Sequence, residues 1–176
     1  DHGAKNTCVE GVIEACYVDA AASPCAKPLY CGSQTKPCCA IQDCLIWTKP
    51  PTYVIVKKGT YTENLTPNCG MSIIAVDTVG PLLDANKLPK AKVPQVKLIT
   101  NTAKPALSVD AANFVAKVNC NTQKVMVYGF EIVRSGKFAY EIVRLKGPAE
   151  LTLRTTAVGD LAGGCNTGVG AGTSSG

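Results

Sequence analysis

From residue 53 onward the chain alternates short apolar runs with turn residues. The runs occupy residues 53–56, 72–76, 96–100, 106–109, 114–118, 124–133, 140–145 and 151–158. Between them stand Gly70, Gly80-Pro81, Asn86, Asn101, Asn119, Asn121, Gly136 and Gly147-Pro148. Runs of this length with such punctuation predict an all-β domain. Those beginning at Tyr53, Ser72 and Val96 recur at intervals of about twenty residues, within the repeat range of stacked solenoid coils. No Asn-Gly or Asp-Gly pair occurs, so the tight hairpins of a β-sandwich lack their usual signal. The interval between Val76 and Val96 carries Pro81, Pro89 and Pro94 with Lys87, Lys90 and Lys92, and reads as a loop inserted from one coil.

The first fifty residues have a different texture. Val9, Val12, Ile13 and Cys16 keep the i, i+3, i+4, i+7 spacing of one helical face, which predicts a short helix over residues 7–18. Beyond it, Pro24, Pro28 and Pro37 break the chain into loops. Residues 41–47, IQDCLIW, form a helix-sized apolar piece stopped by Pro50-Pro51. Residues 159–176 are glycine-rich and read as a tail or linker.

Cysteine sets the compartment. Ten occur, Cys8, Cys16, Cys25, Cys31, Cys38, Cys39, Cys44, Cys69, Cys120 and Cys165, in 176 residues. So dense and even a set predicts disulfides and a secreted or cell-surface protein. Zinc is the rival, but no C-x2-C pair is present and the only histidine is His2. No metal or cofactor is expected. Seven of the ten fall within residues 1–44. Seven cannot pair among themselves, so a bridge leaves this segment, or one thiol stays free or joins another molecule. The adjacent Cys38 and Cys39 read as members of two separate bridges rather than as a vicinal redox pair.

The net charge of +5 permits an acidic partner. Lysine is spread thinly, without the aromatic interleaving of a nucleic-acid surface, so no nucleic acid is expected. No run has the length of a membrane span. The Asp1 start reads as a processed, mature terminus. Asn64-Leu65-Thr66 is a glycosylation sequon, weakened by Pro67 directly after it.

The order Ile41-Gln42, Leu45, a Pro-bearing gap, then V-x-V-x-x-G-x-Y-x-E-x-L over Val54, Val56, Gly59, Tyr61, Glu63 and Leu65 resembles the first coil of the pectin lyase-like superfamily. The resemblance implies a short right-handed parallel β-helix. Residues 1–50 would be its disulfide-rich N-terminal cap, 51–158 its coils and 159–176 the tail. Enzymes of that superfamily use paired aspartates with an arginine, calcium-binding acids with a basic residue, or a group of aspartates on one face. Here Asp77, Asp84, Asp110 and Asp160 are scattered, and no histidine comes after His2. No catalytic residue is therefore assigned. The repeat EIVRSGKFAYEIVR, residues 131–144, suggests a row of Arg134, Arg144 and Arg154 that could grip an acidic polysaccharide, against a plainer charge ladder on stacked strands. Two functions fit these features. One is a non-catalytic extracellular structural or assembly module (surface, wall, filament or virion exterior) that self-associates through its ends and disulfides. The other is a carbohydrate-active enzyme or a binding module for acidic polysaccharide.

Overall fold

The computed structural model describes residues 15–22, 31–46, 51–76, 96–100, 102–115, 124–135, 141–154, 156–160 and 169–171. In chain order the elements are β1 (Ala15–Val18), α1 (Ile41–Leu45), β2 (Tyr53–Lys57), β3 (Gly59–Thr62), β4 (Ser72–Val76), β5 (Val96–Thr100) and β6 (Leu107–Asp110). Then come α2 (Ala111–Val115), β7 (Lys124–Tyr128), β8 (Phe130–Arg134), β9 (Val143–Lys146), β10 (Glu150–Arg154), β11 (Ala157–Asp160) and β12 (Val169–Ala171).

The strands form three sheets, ordered β1-β2-β4-β7-β10, β3-β5-β8-β11 and β6-β9-β12. Every pairing is parallel. The chain visits the sheets in rotation: β4, β5, β6; then β7, β8, β9; then β10, β11, β12. The preceding pass, β2 and β3, reaches the third sheet through a parallel bridge from Leu65 to Leu107. The fold is β-rich and built of parallel sheets, in line with the all-β expectation.

Register stacks like on like. Cys16, Val54, Ile73, Val127 and Leu153 form one ladder across the first sheet. Tyr61, Leu98, Ile132 and Val158 form another across the second, and Leu107 pairs with Val143 in the third. Successive side chains of a strand point to opposite faces, so a register that aligns every second residue gathers one continuous apolar core. All these ladder residues belong to one cluster, with only Leu153 and Val158 partly exposed. Ile55 and Ile74 lie in register on the opposite face of the first sheet and are also buried, outside that cluster.

Several expectations need correction. Residues 15–18 are strand rather than helix: Cys16 and Val18 are the buried alternate positions, and pairing with β2 overrides the helical spacing. The rest of the expected helix lies outside the described residues. Of the expected strand 114–118, residues 114 and 115 belong to α2 (Ala111–Val115), and 116–118 lie outside the described residues. The carboxylate of Asp110 accepts the Ala112 N–H at 2.9 Å, a turn-starting contact that competes with extension. The single run 124–133 is two strands of different sheets, separated by Gly129 at φ 79°. The run 151–158 likewise divides into β10 and β11. Tyr53 and Ser72 begin neighbouring strands of one sheet, whereas Val96 begins a strand of the next, so the twenty-residue interval links two different steps. The segment assigned to the cap contributes β1 to the first sheet, and the glycine-rich tail contributes β12 to the third. The proline- and lysine-bearing interval 77–95 lies outside the described residues.

Gly147 turns the chain from β9 to β10 at φ 73°, and a Cβ there would sit 2.9 Å from that of Ala111. Gly147→Ala is expected to cost about 2–4 kcal/mol from left-handed strain plus overpacking. Gly159→Ala, with nothing within 4 Å of its added Cβ, is the neutral control. Urea denaturation of both variants checks this, and equal midpoints would refute it.

Candidate interaction surface

The residues of the Val54–Leu65 motif are brought together, and their roles are structural. Val54, Val56, Tyr61 and Leu65 are buried in the core. Ala40, at the N-cap of α1, supplies no side-chain bond. Glu63 takes its place: one carboxylate oxygen accepts the Ile41 N–H at 2.9 Å and the other the Gln42 N–H at 2.8 Å. Gln42 then closes a reciprocal pair with Thr66, donating to its hydroxyl at 3.1 Å and accepting its backbone N–H at 2.9 Å. Burial raises the Glu63 pKa, the two N–H groups oppose that, and Asp43 adds to it. Burial also raises the Asp43 pKa.

Tyr61 ties the same turn to the N-terminal segment. Its hydroxyl donates to the Lys57 carbonyl at 2.9 Å and accepts the Ala20 N–H at 3.2 Å. Burial pushes its pKa up to about 12; the Ala20 N–H opposes this, and the Asp19 and Glu63 carboxylates reinforce it. Beside it Asp19 meets Lys57 at 2.8 Å. Partial burial alone would raise the Asp19 pKa, but the lysine and the Ala21 N–H hold it below its ordinary value.

Cysteine joins this side of the molecule. Cys16 is bonded to Cys44 and Cys31 to Cys38. Cys39 and Cys69 are also disulfide-bonded, so Cys38 and Cys39 belong to separate bridges, as expected from the sequence. The sulfurs of Cys16, Cys38 and Cys44 all lie within 4.8 Å of one another, the one grouping of metal-ligand type among the described residues. All three sulfurs are oxidised in bridges and offer no thiolate. Cys8, Cys25, Cys120 and Cys165 lie outside the described residues.

The arginines are not brought together. Arg134 ends β8 in the second sheet, Arg144 lies on β9 in the third, and Arg154 ends β10 in the first. Their spacing of ten residues carries the chain from one sheet to the next instead of stacking them. Arg144 pairs with Glu141 at 2.7 Å. Glu131 meets Lys97, its register partner, at 3.7 Å, and Lys124–Glu150 and Lys146–Asp110 are register pairs at 3.6 and 3.7 Å. These are cross-strand charge ladders. Each is exposed or only half-buried and contributes at most about 1 kcal/mol. Asp77 and Asp84 lie outside the described residues, and Asp110 is spent on α2 and Lys146. Asn64 is held by its side-chain nitrogen, which donates to the Thr100 hydroxyl at 2.8 Å and to the carbonyls of Pro105 and Lys104 at 2.9 and 3.2 Å. That nitrogen is the atom a glycan would take.

The two ends of the stack differ. At the β1 end, Cys38 forms a parallel bridge with Val18, the Cys38 N–H donates to Tyr17 O, and the Asp19 N–H donates to Cys38 O, both at 2.8 Å. The Tyr17 N–H donates to Gly32 O at 2.9 Å. Residues 32–38 thus lie along the outer edge of β1. At the other end β10 has, among the described residues, one sheet neighbour, β7. Leu151, Leu153 and Val158 are only half-buried there, whereas their register partners Val125, Val127 and Ile132 are at most 1% exposed. Sequence reasoning misses this edge, although the alternation Glu150-Leu151-Thr152-Leu153-Arg154 is plain in the chain. Which strand ends a sheet is not written in any local pattern. Among the described residues no helix is long and apolar enough to cross a membrane. No protein-family profile, curated protein or solved structure matches the chain.

Proposed function

We propose that the chain winds as a short right-handed parallel β-helix and serves as a non-catalytic structural module outside the cell, self-associating through the end of its stack. The observation that carries this reading is the inequality of the two ends. One is lined by residues 32–38 and tied by disulfides. The other presents a half-exposed apolar ladder beside a strand edge. Rotation of the chain through three parallel sheets supports the winding, since a coil that advances by one strand spacing, about 4.8 Å, stacks each sheet in parallel. Among the described residues only β7 pairs with β10, and a sheet edge of this kind templates further strand pairing. Abundant cystine supports an oxidising, extracellular setting.

The carbohydrate reading draws less support. Arg134, Arg144 and Arg154 sit on three sheets, and Arg144 already holds a carboxylate. Sedimentation velocity and negative-stain electron microscopy of the unreduced protein test the assembly reading. Dimers or larger species that grow with concentration are expected. Monomers at every concentration reached would refute it, and uronate polysaccharides would then be screened for binding.

A further inference from the structure

The β10 edge has a chemistry that selects its own partner. Along Glu150-Leu151-Thr152-Leu153-Arg154, Glu150, Thr152 and Arg154 share the face on which Lys124, Met126 and Tyr128 stand in β7. Leu151 and Leu153 share the inner face and pack on the core. Glu150 and Arg154 are exposed, and the three residues between them are half-buried. Laid antiparallel against a copy of itself about Thr152, this strand is fully self-complementary. Glu150 faces the copy's Arg154, Arg154 faces its Glu150, Leu151 faces its Leu153, and threonine meets threonine.

We propose that the chain forms a two-fold dimer through antiparallel pairing of β10 with β10 of a second copy. The proposal rests on the assembly reading above and narrows it from filament to closed pair. A head-to-tail filament would seat β10 of one copy on β1 of the next, and residues 32–38 already occupy that edge. A two-fold contact needs only the β10 edge, on which no described strand lies, and it is isologous, so growth stops at two. The pairing continues the inner ladder of the first sheet across the joint, placing Leu151 and Leu153 against their counterparts. It also offers partners to the backbone groups on the side of β10 away from β7, where no described strand pairs. Directly opposed charges in an antiparallel pair attract when unlike and repel when like, so the two Glu–Arg contacts fix both direction and register.

The test exploits that symmetry. Arg154→Glu leaves two glutamates on the strand, and Glu150→Arg leaves two arginines. Each variant alone must face like charge twice, while a mixture of the two restores both opposite pairs. Sedimentation equilibrium of the full-length unreduced protein is expected to show a wild-type dimer. The dissociation constant of each variant is expected to rise by about tenfold or more, and a one-to-one heterodimer is expected in the mixture. Glu150 also meets Lys124 within its own fold, so Glu150→Arg is expected to lower the melting temperature slightly, and a circular dichroism spectrum matching that of the wild type excludes misfolding of either variant. A wild-type dimer indifferent to both changes, or a mixture that fails to associate, would overturn β10 pairing while leaving the assembly reading intact. Filaments would overturn the closed dimer alone. A wild-type monomer would overturn both.

Discussion

Replacing Cys16 and Cys44 together by alanine is expected to lower stability by about 3.5 kcal/mol, the chain-entropy value for a loop of their separation. The two cysteines stand 28 residues apart, whereas Cys31 and Cys38 stand 7 apart. Closing the shorter loop removes less freedom from the unfolded chain, so the Cys31→Ala, Cys38→Ala pair should cost about 2.4 kcal/mol. Position strengthens the ordering. Cys16 belongs to the inner ladder of the first sheet, and Cys44 is buried on α1, so their bridge fastens helix to sheet across the core. The other bridge fastens only residues 31 and 38 to each other. Urea denaturation of both double variants under non-reducing conditions measures the difference. A larger loss for the Cys31–Cys38 pair would show that native packing, rather than loop closure, governs these cross-links.

Glu63→Ala is expected to cost about 2–5 kcal/mol, because it strips the partners from two N–H groups at the start of α1 in a partly buried site. Glu63→Gln should lose less, since its one carbonyl oxygen can keep one of the two bonds. The pH dependence separates charge from packing. The folded state raises the Glu63 pKa, so it binds the proton more tightly than the unfolded chain does. The stabilisation from that proton is complete below the unfolded carboxylate pKa and is lost as pH rises through the higher folded value. The advantage of wild type over Glu63→Gln should therefore be largest near about pH 3 and shrink toward about pH 7. Paired urea titrations across that window read the difference directly. An advantage that instead grew with pH would mean that the two N–H bonds outweigh desolvation, and that Glu63 works as a buried anion.

Local chemistry made some of the fold legible. Residues 72–76 and 96–100 are strands over those bounds, because a run of β-branched and apolar residues fits a half-buried pleat wherever it is placed. The short helix at Ile41 could also be read from the order of residues. Where the reading failed, a partner distant in sequence had intervened. Residues 15–18 keep a helical spacing, yet β2, almost forty residues further on, takes them as a strand. The arginines have a regular interval, but each corner of the chain sends the next one to a different sheet.

Composition and near neighbours along the chain suffice to make this a protein of short strands held by disulfides. Side-chain shape, turn preference and thiol chemistry set those properties, and all three act locally. Three-dimensional packing is needed before Glu63 caps a helix twenty-two residues earlier, before Glu131 answers Lys97, and before β10 ends its sheet. Each depends on register between strands far apart in the chain. Register comes from packing all the apolar faces at once, which no local segment encodes.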